Sequence, residues 1–468
     1  MATATLQEEP CSISQRELGS RLGGLPWVKK GSLAVVDQAL ISGSNFLIGI
    51  LLARWLPPDQ YGAYALAFST FLLVSLSYQA LLLEPQSVLG SSTYLDSPRQ
   101  YLGALLWAHG ALGLAAFVIL GVWAGAAHAL SRPGNLSGAL AGVAFAAPCI
   151  LLFWLARGAL YVRQAPQHAV TGALLYCFLV LGGLLVLFRR GLLSPFAAFI
   201  LMGLGALTAS AVLLLQLKPS LKLGRSGAVL SRVTRQHWIY GRWALASSVV
   251  SWIPWNIHYA LLSHFSSMAG AGGLRALFNL MLPLGQACNA FSLLLTPYAS
   301  RAHAQDGAAS VDGLTWKITS LFAGGAVCYW AVIILLRTYA LRFLYAGKYD
   351  ALAQFVPWLA IASVLWTAAY GPAVVLRAKQ TPALVFCAYC ASGAIALIAG
   401  PPAIRAFGLE GTIRAVTLSS AVALAVALFL VHRGVPRALH RQRGRLSGMG
   451  SSLPSQVTNN QGVSNGVR

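Results

Sequence analysis

Charge is what this sequence has least of. Only 9% of its 468 residues are Asp, Glu, Lys or Arg, where a soluble domain carries about a quarter, so the chain cannot clothe a water-facing surface in the usual way. Acidic residues are scarcest, 11 against 33 Lys and Arg. The signatures of covalent chemistry are also missing: there is no Gly-rich loop ending in Lys-Ser/Thr, no H-E-x-x-H, no G-x-S-x-G and no paired acidic motif on an exposed loop. That argues against an ATP-driven pump and against an enzyme, and no cofactor is expected. The loops predicted on the outer side are all short, whereas membrane enzymes that join glycans commonly carry their reactive groups on a large one. Of the seven cysteines, Cys387 and Cys390 form a C-x-x-C pair, but no His or acidic ligand is near them in sequence. Neither a disulfide framework nor a zinc site follows.

What the sequence does have is apolar length. Hydrophobic residues make up 57% of the chain, gathered in runs near 20 residues, each long enough to cross a hydrocarbon core of about 30 Å as a helix. Breaks at charges, Pro and Gly predict spans over 31–53, 62–83, 101–123, 136–155, 169–188 and 195–217. A second set is predicted over 243–265, 272–298, 318–336, 355–376, 382–402 and 412–431. The expected fold is an all-α membrane protein of about twelve transmembrane helices in two six-helix lobes around a central cavity.

The formal charge of +22 sits in segments between the apolar runs, as membrane topology requires, and no basic stripe with interleaved aromatics supports a nucleic-acid partner. The longest basic connector, 218–242, holds Lys218, Lys222, Arg225, Arg232, Arg235 and Arg242 without an acidic residue. It reads as a cytoplasmic linker between an N-terminal lobe over 31–217 and a C-terminal lobe over 243–432. Placing the amino terminus inside puts most Lys and Arg on the cytoplasmic side, so both termini are expected there. Residues 1–30 lack the compact apolar core of a signal peptide and read as a cytoplasmic tail. Residues 433–468 read as a second, disordered cytoplasmic tail. The halves also echo one another. Asn45 precedes Gly62-Ala63-Tyr64-Ala65-Leu66, and Asn256 precedes Gly273-Leu274-Arg275-Ala276-Leu277, at the same spacing, as a duplicated unit would.

Polar groups inside spans are the candidate functional residues, because each costs about 2.5 kcal/mol or more if it faces lipid. The first span carries Asp37, Gln38, Ser42, Ser44 and Asn45 at three- and four-residue spacings, one helical stripe, with Arg54 at its outer end. The stripe either lines a gap between the lobes or glues helices by hydrogen bonds. Asp37 alternatively occupies an interfacial position. In the seventh span Trp252, Pro254, Trp255, Asn256 and His258 form a polar, aromatic, proline-broken patch, which is either a cavity border or a packing kink. The eighth carries Arg275, Asn279, Gln286 and Asn289 around Pro283. Arg275 either snorkels outward or, with Arg54, puts positive charge in the outer part of a cavity, where a pyrophosphate or acidic sugar would be drawn.

These residues carry a family likeness. Ser42-Gly43-Ser44-Asn45 through Leu52-Ala53-Arg54 and Pro58-Asp59-Gln60-Tyr61-Gly62 resembles the first hairpin of Wzx-like polysaccharide-biosynthesis flippases. Gly273 to Leu280 with Pro283 is similar to that family's eighth span, and Phe343 to Tyr349 to its external turn after the ninth. The family belongs to the multidrug/oligosaccharidyl-lipid/polysaccharide exporter superfamily. The resemblance implies alternating access between two lobes, moving a polyprenyl-pyrophosphate-linked oligosaccharide across a bacterial inner membrane for exopolysaccharide, capsule or O-antigen assembly. The headgroup would pass through a polar cavity while the tail stays in lipid. Membrane lipids, a polysaccharide polymerase and export machinery would be its partners. Asn45, Arg54 and Arg275 carry over by motif position. The alternative within the superfamily is a cation-coupled small-molecule (multidrug) exporter, for which Asp37 is the one acidic candidate.

Overall fold

The computed structural model describes residues 25–130, 136–221, 228–379 and 381–433. Among them there is no β-strand. Most of both expected tails, and residues 222–227 of the expected linker, lie outside the described residues.

The N-terminal lobe is built from α1 (Leu25–Trp55) and α2 (Pro58–Tyr78), the latter running through a π-helical turn (Gln79–Leu83) into α3 (Glu84–Gly90). It continues with α4 (Pro98–Ala129), α5 (Leu136–Val162), α6 (Pro166–Arg189) and α7 (Pro195–Leu217). The C-terminal lobe comprises α8 (Ala228–Phe265), α9 (Met268–Asn279), α10 (Leu282–Leu335), α11 (Arg337–Tyr345), a 3-10 turn (Asp350–Phe355), α12 (Val356–Ala368), α13 (Tyr370–Ala378) and α14 (Pro382–Arg433). Proline opens many of these helices, at a position where its missing N–H has no intrahelical partner to lose.

Several elements differ from single expected spans, for identifiable reasons. The eighth is broken: α9 and α10 meet at 46°, just before Pro283, whose missing N–H leaves the Asn279 carbonyl without its helical donor. The 54-residue α10 is two antiparallel limbs, since Tyr329 donates to the Leu280 carbonyl at 2.6 Å and a straight helix would hold these residues about 70 Å apart. α14 likewise doubles back. Gly408 takes φ 55° and ψ −124°, and Ser392 Oγ reaches the Ser419 carbonyl at 2.9 Å. The 52 residues of α14 therefore supply the eleventh and twelfth crossings. Within the expected linker 218–242, residues from Ala228 onward form the basic, helical first turns of α8.

Nine described helices are long and apolar enough to cross a membrane, ten with the bent α9–α10 pair. The return limb of α14 and the more polar α8 complete twelve crossings in two lobes. Large side chains such as Phe178, Leu215 and Leu114 are exposed on the outside of the bundle, where lipid is the solvent. In the N-terminal lobe α5 packs on α4 and α7. In the C-terminal lobe α12 sits between α10 and α14.

The lobes meet where α2 crosses α9. A methyl group on Gly62 would lie 1.8 Å from the Met268 carbonyl oxygen, and one on Gly272 would lie 2.6 Å from that of Pro58. Each glycine thus faces the carbonyl four residues before the other glycine, a reciprocal contact. This crossing is at the far end of the molecule, opposite Leu25 and Arg433. From it the α2–α8 seam runs closed to the near end. Trp252 Nε1 donates to the Ser69 carbonyl at 2.8 Å, and Gly241 abuts the Ala80 carbonyl. In the connector portion of α8, His237 bridges Tyr101 Oη (2.8 Å) and the Leu81 carbonyl (3.1 Å). Burial holds that imidazole below the usual histidine range, with the Leu81 hydrogen bond opposing. On the other side α1 packs against the C-terminal lobe chiefly through α9 and α11.

Gly62→Ala is expected to destabilise the protein by about 1–3 kcal/mol through overpacking. Gly110→Ala on α4, where a methyl group meets nothing within 4 Å, should stabilise it by up to about 1 kcal/mol through helix propensity. Thermal unfolding of the purified variants reads both signs.

Candidate functional site

The C-terminal lobe holds a cavity of about 300 Å³, walled by α8, α9, α10, α12 and α13. Trp255, Asn256, Arg275 and Gln286, all expected from sequence, line it. Tyr259, Phe278, Asn289, Trp366 and Tyr370 join them. Pro254 inside α8 leaves a carbonyl one turn earlier without its donor, and Asn256 Nδ2 bonds the neighbouring Trp252 carbonyl at 3.2 Å. Trp255 is held edge-on by Trp366 at 4.9 Å and by Phe278 at 5.5 Å between ring centroids. At the lower wall Tyr370 Oη donates to Asn289 Oδ1 at 3.2 Å.

Arg275 closes the roof. Its guanidinium lies 4.7 Å from the ring centroid of Phe68 on α2 of the other lobe, and the hydroxyls of Tyr259, Tyr61 and Tyr64 are near enough to interact with it. Among the described residues no carboxylate pairs with it, and none lines the cavity. In the wall Trp255 Nε1 is buried without a hydrogen-bond partner, and the Arg275 guanidinium, which has the Tyr259 hydroxyl within hydrogen-bonding reach, leaves its Nε unpartnered. Such groups cost about 1–3 kcal/mol each until an acceptor meets them.

The other expected residues lie elsewhere. Asp37 is fully buried inside the N-terminal lobe, where Arg157 and Tyr161 of α5 both donate to its Oδ2. A carboxylate can be buried in lipid-embedded protein only with such company, and it leaves Asp37 facing its own lobe rather than the cavity. Asn279 is buried in the seam, its Nδ2 donating to Tyr61 Oη at 3.0 Å and Tyr345 Oη at 3.5 Å. Arg54 sits at the far end with Nη1 on the Phe343 carbonyl at 3.0 Å, a clasp between lobes rather than a cavity charge. The stripe on α1 is thereby split. Asp37, Ile41, Ser44 and Ile48 turn into the lobe, while Gln38 and Asn45 are exposed. Their row, Gln38–Ser42–Asn45–Gly49, steps by four, three and four residues along one helix face. Gly49 on that face abuts Asn279 Oδ1.

Sequence reasoning passed over Tyr259, although it lies one turn beyond Trp255 and Asn256. It also passed over Arg157 and Tyr161, whose service to Asp37 has no signal in the chain. The six described cysteines are free, and no group of three or more His, Cys, Asp or Glu among the described residues is placed to hold a metal.

Asp37→Asn is expected to cost about 3–5 kcal/mol by stranding the Arg157 charge, with most of the loss recovered in Asp37→Asn/Arg157→Met. Comparison of the two unfolding midpoints checks it.

No protein-family model and no curated protein matches this chain. Solved structures do. An inward-facing multidrug resistance MATE family transporter of the MOP superfamily superposes with a TM-score of 0.72 at 12% identity, over 90% of this chain and 99% of that one. The lipid II flippase MurJ in an inward closed conformation gives 0.65 at 13% identity, over 92% and 94%. An outward-facing MATE family transporter gives 0.59 at 13% identity, over 92% and 98%. At these identities the likeness is one of fold, and the chain has the two-lobed, twelve-helix fold of the MOP-superfamily transporters.

Proposed function

We propose that the protein is a flippase that translocates a polyprenyl-pyrophosphate-linked oligosaccharide across a bacterial inner membrane, by alternating access, for exopolysaccharide, capsule or O-antigen assembly. The observation that carries this reading is the donor-rich, carboxylate-free wall of the cavity. Arg275 Nε and Trp255 Nε1 offer unmet donors, which suits an acceptor-rich anion such as a pyrophosphate, because unpaired acceptors brought out of water find partners there. The amides of Asn256, Gln286 and Asn289 suit sugar hydroxyls. Exporters of cationic drugs call for an unpaired carboxylate in the site. Here the lining has none, and the one acidic candidate, Asp37, is tied to Arg157.

The seam geometry supports a lipid-linked cargo. α2 packs along α8, whereas α1 meets the C-terminal lobe chiefly through α9 and α11, so a lateral opening between the lobes would lie on the α1 side, where a polyprenyl tail can remain in lipid while the headgroup enters. Far-end closure at Gly62 and Gly272 makes this the state open to the near end. The basic bias of the sequence puts that end in the cytoplasm, and the closer superposition on an inward-facing neighbour agrees with it. A polymerase and export machinery would receive the delivered repeat units.

Cells lacking the protein should accumulate undelivered lipid-linked repeat units on the cytoplasmic side and lose surface polysaccharide. Arg275→Gln should reduce delivery at least about tenfold, the equivalent of one charged hydrogen bond, and Arg275→Lys should restore part of it. Normal surface polysaccharide in the deletion strain, together with raised dye retention, would refute the flippase and favour the small-molecule exporter.

A further inference from the structure

The limb of α10 over Gly313–Leu335 has 23 residues, about 34 Å of helix, enough to carry the chain from one edge of the hydrocarbon core to the other. α11 begins two residues later, after a break at Leu336, and is therefore at the far boundary of the bilayer. Its two faces differ. Leu341 and Tyr345, four residues apart, are fully buried. Tyr345 Oη donates to the Ala276 carbonyl at 2.8 Å beside Asn279. Opposite them Tyr339 and Phe343, also four apart, are each 78% exposed and prolong a row from Leu335 at 82%. That row continues the lipid-facing surface of α10, where Val327 and Val332 are exposed. Arg337 and Arg342 flank it. Arg342 is largely exposed and only loosely opposed by Asp350 at 4.0 Å.

We infer that α11 lies in the headgroup region of the far bilayer surface, with Tyr339 and Phe343 inserted toward the acyl boundary and Arg337 and Arg342 among lipid phosphates. Three features select lipid as the occupant: continuity with the lipid-facing side of α10, aromatic side chains at the depth where an interfacial belt forms, and cations beside an apolar stripe in the pattern of interfacial helices. The same helix holds the far seam. Its Phe343 carbonyl receives Arg54 of the N-terminal lobe, Tyr345 is anchored in α9, and Lys348, just beyond it, donates to the Leu56 carbonyl at 3.0 Å. A helix resting on the membrane thus supplies the C-terminal lobe's side of the clasps that shut the far end. Opening that end pulls α1 away from α11, which stays with the lipid.

The test is photochemical capture in the full chain, reconstituted in phosphatidylethanolamine and phosphatidylglycerol vesicles. p-Benzoylphenylalanine replaces Tyr339, Phe343, Leu335 as a lipid-facing control, or Leu352 as a control within the protein, one site at a time, and adducts are identified by mass spectrometry. Lipid adducts at 339 and 343 approaching the yield at 335, with few at 352, are expected. Absence of lipid adducts at 339 and 343 while 335 reacts would overturn the inference, and so would cross-links there to a second copy of the chain. Folding of each variant, the partly buried Leu352 control included, is checked by an unchanged unfolding midpoint.

Discussion

The backbone contact between α2 and α9 at Gly62 and Gly272 governs the rest of the architecture. Helices carrying side chains there could not bring a carbonyl so close to the opposing Cα, and small residues are the usual means by which membrane helices gain close packing when lipid provides no hydrophobic drive. With the far ends pinned, lobes of this length can separate only toward the near end. They do so asymmetrically, because α2, its π-helical turn and α8 stay in contact through Trp252, Gly241 and His237. The cavity lies within the C-terminal lobe, and its roof is the level at which Arg275 meets Phe68 across the seam.

Hydrocarbon offers no hydrogen bonds, so each polar group within the spans needs a partner in the protein or a reason to lack one. The buried polar groups divide along that line. Asp37 with Arg157 and Tyr161, and Asn279 with Tyr61 and Tyr345, hold helices to one another. Trp255 Nε1 and Arg275 Nε retain donors without acceptors, and both residues line one cavity. The proposed transport would use both kinds: the satisfied groups hold helices together and the far seam shut, while the unsatisfied ones would leave interaction energy for a cargo. Clasps made by single side chains on backbone carbonyls, Arg54 on Phe343 and Lys348 on Leu56, are weak enough to release, since a net hydrogen bond contributes about 0.5–1.5 kcal/mol, somewhat more when charged.

The length and spacing of apolar runs determined the class, the count of crossings and the division into two lobes, because crossing a bilayer imposes a length that no other constraint imitates. Spans that merged or bent, in α9–α10 and α14, remained readable as the right number of crossings since Pro283 and Gly408 mark their breaks locally. The polar patch around Pro254 and the stripe through Arg275 and Gln286 were also legible, because a costly residue in an apolar run signals shelter wherever it occurs. What that shelter is, only the tertiary structure decided. Asp37, Arg54 and Asn279 read alike as intramembrane or membrane-edge polar groups, yet one is neutralised by Arg157 more than a hundred residues away in the chain, one grips a carbonyl of α11, and one fills the seam. Periodicity fixes which face of a helix a residue occupies, and partners separated by whole helices fix what that face meets.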